Sequence, residues 1–166
     1  MKFNYPAFKA IYLHEMDRFR RTLMQSLLSP VLSTSLYFIV FGSVIGGYVE
    51  KIDGISYGSY IVPGLLMLTL LTQSITNTSF GIFFPKFNGT IYEILAAPIS
   101  TLEIVLAFVG AGATKTLAVG VVIFITANFF VEVDVKYPLL VVFLLILVAF
   151  TFALFGFLIG LMSSNF

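Results

Sequence analysis

The chain has 166 residues, of which 59% are hydrophobic and 10% charged, whereas an ordinary soluble domain carries roughly 25% charged residues. Together with a mean hydropathy of +1.04, this composition excludes a soluble globular fold and describes an integral membrane protein. A net charge of +1 gives no basic bias toward nucleic acid, and the absence of cysteine excludes a disulfide framework, a thiol nucleophile and a Cys-based metal site.

The charged N-terminal region persists through Arg21, and the first apolar run begins only near Leu27. A secretory signal would place its apolar core sooner, so the start is a lead-in to a permanent helix. Residues 8–25 fit an amphipathic helix: Phe8, Tyr12, Met16, Phe19 and Leu23 recur at steps of four and three on one face. Lys9, His14, Asp17, Arg20 and Arg21 fall on its other sides. Such a helix lies in the membrane interface; packing against a cytosolic partner is the other reading of the same stripe. Glu15 and Arg18, three residues apart, are expected to pair on its surface.

The first span is expected over 27–48, without a charge, and Gly42-x-x-x-Gly46 near its end lets a neighbouring helix approach closely. After a polar loop at 50–54 the second span covers 60–84. It is unusually polar: Thr69, Thr72, Gln73, Thr76 and Ser79 fall near one face. Those side chains either line a substrate path or hydrogen-bond to neighbouring helices.

A polar, turn-rich stretch, 85–103, follows. Thr90-x-x-Glu93 and Ser100-x-x-Glu103 both fit the capping box, in which a hydroxyl and a carboxylate reciprocally satisfy the first N–H groups of a helix. Ile99 and Ile104 add a hydrophobic staple to the second, and Pro98 ends the first helix after about two turns. The pattern reads as loop, short helix over 88–97, break, new helix. Such a helix either docks a soluble partner or connects two spans along the headgroups.

The third span lies within 101–131 and contains Lys115. A charge at the bilayer centre is costly, so 101–114 is expected to enter along the interface, Lys115 to mark the cytosolic rim, and 116–131 to cross. A buried, ion-coupling Lys115 is the functional alternative. The run Gly110–Thr116 is not a phosphate loop, because no Gly precedes Lys115 directly and no strand precedes the run. The fourth span, 138–162, is uncharged and carries a second close-packing signal, Gly156-x-x-x-Gly160. Catalysis has little to stand on: His14 is the single histidine, and capping accounts for Glu93 and Glu103.

Basic residues set the orientation. Lys2, Lys9, Arg18, Arg20, Arg21, Lys86 and Lys115 gather on one side, and only Lys51 and Lys136 on the other. The positive-inside rule places both termini and 85–103 in the cytosol.

Four motifs in order, Arg18-x-Arg20, Leu36–Gly42, Ile61–Met67 and Glu93–Ser100, resemble the permease subunit of ABC type 2 transporters, in particular the bacterial inner-membrane transport permeases. The resemblance covers essentially the whole chain. It implies an all-α membrane domain with an N-terminal interfacial helix and a normally six-helix permease of which four spans are read here, as though the C-terminal part were missing. It further implies a homodimer with a second permease copy, paired with separate ATP-binding subunits that hold the ATP, and export of a drug-, lipid- or glycan-like substrate. On that likeness the short helix is a coupling helix whose Phe87, Thr90, Tyr92, Glu93, Ile94 and Leu95 contact the ATPase. A self-contained secondary carrier and a non-transporting assembly subunit are the alternatives.

Overall fold

The computed structural model describes residues 3–45, 54–131, 133 and 135–163. Each long apolar run is helical, because a backbone surrounded by lipid must satisfy its polar groups within its own segment. Helix α1 (Tyr5–Arg21) is separated by Thr22 from α2 (Leu23–Tyr37), which continues as a π-helical stretch, Phe38–Ile45. Then follow α3 (Tyr57–Phe87), the short α4 (Ile91–Ala96), α5 (Thr101–Phe130) and α6 (Pro138–Met162). The described residues contain no strand. Four helical stretches, Leu23–Phe41 and helices α3, α5 and α6, are long and apolar enough to cross a bilayer. The protein is an all-α, multi-pass membrane protein.

Small residues set the packing. On α6, Ala149, Ala153, Gly156 and Gly160 are buried at helical spacing, so the α3 backbone can come close. A Cβ on Gly156 would lie 2.5 Å from the Ile75 carbonyl oxygen, and one on Gly160 would meet Ile82 and the Ser79 carbonyl. These contacts run α6 parallel to α3. Helix α5 runs antiparallel to both. Gly112 faces Thr78, Gly120 faces Leu70, and Gly58 faces Val131. That register places Ser74 opposite Thr116, and the hydroxyls of Ser74, Thr78 and Thr116 are buried without a hydrogen-bond partner among the described residues. Lys86 of α3 closes the far end of α6: its ammonium donates to the carbonyls of Leu161 at 2.7 Å and Ser163 at 2.9 Å. A cation there satisfies the last carbonyls of a helix and opposes its dipole.

The α1–α2 rod lies along α5. Phe19 and Leu27 pack on a cluster of Leu66, Leu70, Val119 and Ile123, and Phe38 stacks on Phe130. The stripe of α1 also packs on α5: Phe8, Ile11, Tyr12, Met16 and Phe19 are all half-buried within the protein. Residues 101–130 form one unbroken helix through Lys115.

Helix α3 also runs through Pro85 to Phe87, about a turn beyond the expected end of the span. The proline ring crowds the carbonyl four residues earlier. That residue is Gly81, and the helix ends before a second turn would be affected. Gly42 falls in the π-helical stretch, and Gly46 lies outside the described residues.

Gly156→Ala sets a methyl against backbone that cannot rotate away. Thermal unfolding in detergent should show a loss of about 1–3 kcal/mol; an unchanged midpoint would mean that α3 and α6 are not this close.

Candidate functional site

Helix α4 stands at the end of the bundle where α3 and α6 finish and α5 begins. Asn88 caps α3, and Gly89 turns the chain with a φ of 78°, a left-handed conformation that costs other residues energy. The helix is six residues long, about 9 Å, and has two unlike sides. Ile91 and Ile94 pack inward, with Ile99, on a cluster containing Ile82, Ile104, Phe108 and Phe157. Tyr92 and Leu95 point away from the protein and are 73% and 62% exposed, beside Phe87 at 66%.

The two expected capping boxes part company. The second forms completely: the Ser100 hydroxyl accepts from Glu103 N–H, and the Glu103 carboxylate accepts from Ser100 N–H at 2.7 Å. Ile99 and Ile104 meet in the same cluster, as a staple requires. The first does not form. Thr90 is already helical in backbone, and its hydroxyl donates to the Pro85 carbonyl instead. A cap needs an extended backbone to aim its oxygen at the N3 amide, and the Gly89 turn denies Thr90 that conformation. Glu93 therefore keeps an exposed carboxylate. Of the six docking candidates, Phe87, Thr90, Tyr92, Glu93 and Leu95 are exposed together, while Ile94 is a core residue on its inner side.

The polar residues of α3 do not all share one surface. Thr72 and Thr76 are exposed on its outer face, with Thr69 and Gln73 half-buried beside them. The three threonines donate to their own helix, to Leu65, Leu68 and Thr72 carbonyls at 2.8, 2.6 and 2.8 Å. Gln73 accepts a weak bond from Asn77 at 3.4 Å. Of the five expected path residues, Ser79 alone bonds to another helix among the described residues, donating to the Gly156 carbonyl at 2.7 Å.

A charged cluster lies between α1, α3 and α5. The Lys115 ammonium donates to the Glu15 carboxylate at 2.6 Å, and Arg18 reaches the same oxygen at 2.9 Å. Glu15 is 2% exposed and Lys115 3%. Glu15 with Arg18 is thus not a surface pair, which corrects that expectation, and Lys115 is buried in the protein beside them. Arg18 keeps a third of its side chain exposed and rests over the Phe84 ring. Gly81 of α3 lies beside the carboxylate. At the start of α1, Asn4 joins three segments. Its backbone N–H donates to Glu103, its side-chain amide to the Pro98 carbonyl at 3.0 Å, and its side-chain oxygen caps Ala7 N–H. Among the described residues, no three of His, Asp and Glu gather where a metal ion could be held.

Residues 6–166 match the family described as ABC-2 type transporter. The chain belongs to the ABC-2 type transporter family. It is 38% identical over 160 residues to the inner membrane transport permease YadH of Escherichia coli strain K12, covering 96% of this chain and 62% of that protein. YadH proteins of Escherichia coli O157:H7 and Shigella flexneri match to the same extent. The chain therefore spans less than two thirds of the length of these curated relatives. No solved structure matches it.

In this ABC-2 chain, the residues that sequence reasoning passed over are Asn4 and the buried hydroxyls of Ser74, Thr78 and Thr116. Asn4 precedes Pro6 at the start of a helix, a recognisable N-cap signal, but nothing in the sequence points from it to Glu103. Glu103→Ala should strip the acceptor from two backbone N–H groups at once and lower the thermal-unfolding midpoint. Amide exchange at Asn4 and Ser100 should accelerate together; faster exchange at Ser100 alone would mean that α1 is not held there.

Proposed function

We propose that this chain is the membrane-spanning permease part of an ATP-driven exporter in the bacterial inner membrane, with α4 as the element that docks a separate ABC ATPase subunit. The observation that carries this reading is the division of α4: Ile91 and Ile94 anchor it in the bundle, while Tyr92, Leu95 and Phe87 stand uncovered at its tip. A short helix braced in this way moves with the start of α5 when it is pushed. Exposed aromatic and aliphatic side chains clustered around one carboxylate, Glu93, suit a protein surface, since aromatic anchors dominate binding energy. Basic residues on α1 and α3, and the positive-inside rule, favour a cytosolic α4 end and cytosolic termini.

ATP would bind and be hydrolysed on the ATPase subunit, with this chain holding no cofactor and performing no catalysis. A second permease copy would complete the transporter as a homodimer. The outer polar face of α3, with Thr69, Thr72, Gln73 and Thr76, is a poor surface to leave in lipid, because the Gln73 and Asn77 amides keep polar groups unpaired. It suits a path for a drug-, lipid- or glycan-like substrate at the junction of the two copies. Ser79 is spent on the α3–α6 contact and is not part of that path. One observation favours a self-contained secondary carrier instead, the ionisable pair Glu15–Lys115 inside the bundle. Transport in liposomes separates the two, by its dependence on ATPase and ATP or on a proton or sodium gradient.

Tyr92→Ala with Leu95→Ala should reduce co-purification of a co-expressed ABC ATPase roughly tenfold or more, since anchor residues commonly contribute above 1 kcal/mol each. Both side chains are largely exposed, so yield and thermal stability should stay as they are. Undiminished co-purification would remove α4 from the docking surface.

A further inference from the structure

The apolar contacts of α1 with α5 are not self-registering. Phe8, Tyr12, Met16 and Phe19 repeat almost every turn, so a slide of one turn, about 5.4 Å, would exchange one apolar contact for a similar one. The polar contacts do not repeat. One turn away from Glu15 on either side, α1 presents Ile11 and Phe19, which offer the Lys115 ammonium nothing. A buried charge stripped of its partner costs several kcal/mol, about 3–5 where such pairs have been broken.

We propose that the Glu15–Lys115 pair is a register lock that fixes how far along α5 the helix α1 sits, making these two residues positioning residues for α1. The geometry around the pair supports this. The two helices run in the same direction, with Asn4 at Glu103 and Glu15 at Lys115. The anchors are eleven residues apart on α1 and twelve on α5, about 17 and 18 Å of rise, so both can be made in one register only. On the α3 side the carboxylate faces Gly81, which brings no competing charge. Arg18 supplies a second cation from α1 itself and reaches toward water, so it follows Glu15 in any slide and does not define the register. With α1 fixed, Asn4 stays on the Pro98 carbonyl, at the break between α4 and α5. The lock rests on this geometry and does not require α4 to dock an ATPase.

The chain contains no cysteine, so introduced pairs can be read cleanly in native membranes with a short bifunctional thiol reagent. Tyr12 hydrogen-bonds to Thr114 at 3.0 Å, and Ala118 lies one turn further along α5, also exposed. In the otherwise unaltered chain, Y12C with T114C should cross-link well and Y12C with A118C poorly. Adding Glu15→Gln with Lys115→Met removes both charges together, which buried sites commonly tolerate, and the preference for position 114 should fall roughly tenfold. Lys115→Arg, which keeps the charge, should preserve the preference. Lys115→Met alone leaves Glu15 to Arg18, which slides with it, and should lose the preference; if that variant does not accumulate, the doubly neutral one carries the test. An unchanged preference in the doubly neutral variant would overturn the proposal and assign the register to apolar packing. The readout involves no ATPase, so it stands or falls apart from the docking role of α4.

Discussion

A lysine near the middle of a 30-residue membrane helix has to find an anion, and the rest of the architecture follows from where it finds one. Lys115 is answered by Glu15, which sits on the N-terminal helix. Lys115 cannot lose Glu15 without being stranded away from water, whereas Glu15 also holds Arg18 at 2.9 Å. The helix that composition alone would lay on the membrane surface is therefore held lengthwise against α5. Because α2 continues from α1 after one residue, the first span is carried onto the same helix. Phe38 meets Phe130 at the far end. One ion pair thus organises a rod of more than thirty residues along α5.

The opposite side of α5 is built on close approach rather than charge. Without a hydrophobic drive between helices in lipid, association depends on how tightly backbones can pack. Gly112 and Gly120 admit Thr78 and Leu70 from α3, and Gly156 and Gly160 admit the α3 backbone itself. The hydroxyls that become buried in this way, on Ser74, Thr78 and Thr116, have no neighbouring acceptor in reach among the described residues. The polar groups that do reach across, Ser79 and Lys86, both use carbonyls of α6. The three-helix core of α3, α5 and α6 is therefore stiff, and α4 is fastened to its end through Ile91 and Ile94.

The region around Pro98 brings these parts together. Glu103 satisfies the first amide of α5 and the first described cap of α1 at the same time, and Asn4 returns a bond to the Pro98 carbonyl. The turn after α4 is thus tied to the interior by a carboxylate whose partners are all backbone or cap groups. Tyr92 and Leu95 of α4, and Phe87 at the end of α3, are exposed. An external contact on α4 would consequently act on α5 and α1 together.

Class, span number and the existence of α4 were legible from local rules, since apolar length, proline position and capping residues act within a few residues of themselves. The Ser100–Glu103 box could be read because both partners lie in one turn, whereas the Thr90 box failed because a neighbouring glycine turn had already set the threonine backbone. The side of α4 that Ile94 faces, and the division of the α3 polar stripe between its own carbonyls and α6, depend on which helices are adjacent. Nothing in periodicity supplies that. The same holds for Lys115: the sequence by itself determined that a charge had to be excused from the bilayer, and local reasoning moved it to the rim. Only the tertiary structure brought Glu15, one hundred residues earlier, within 2.6 Å and buried the lysine within the protein. An ion pair has no sequence period, so its partner is chosen by packing.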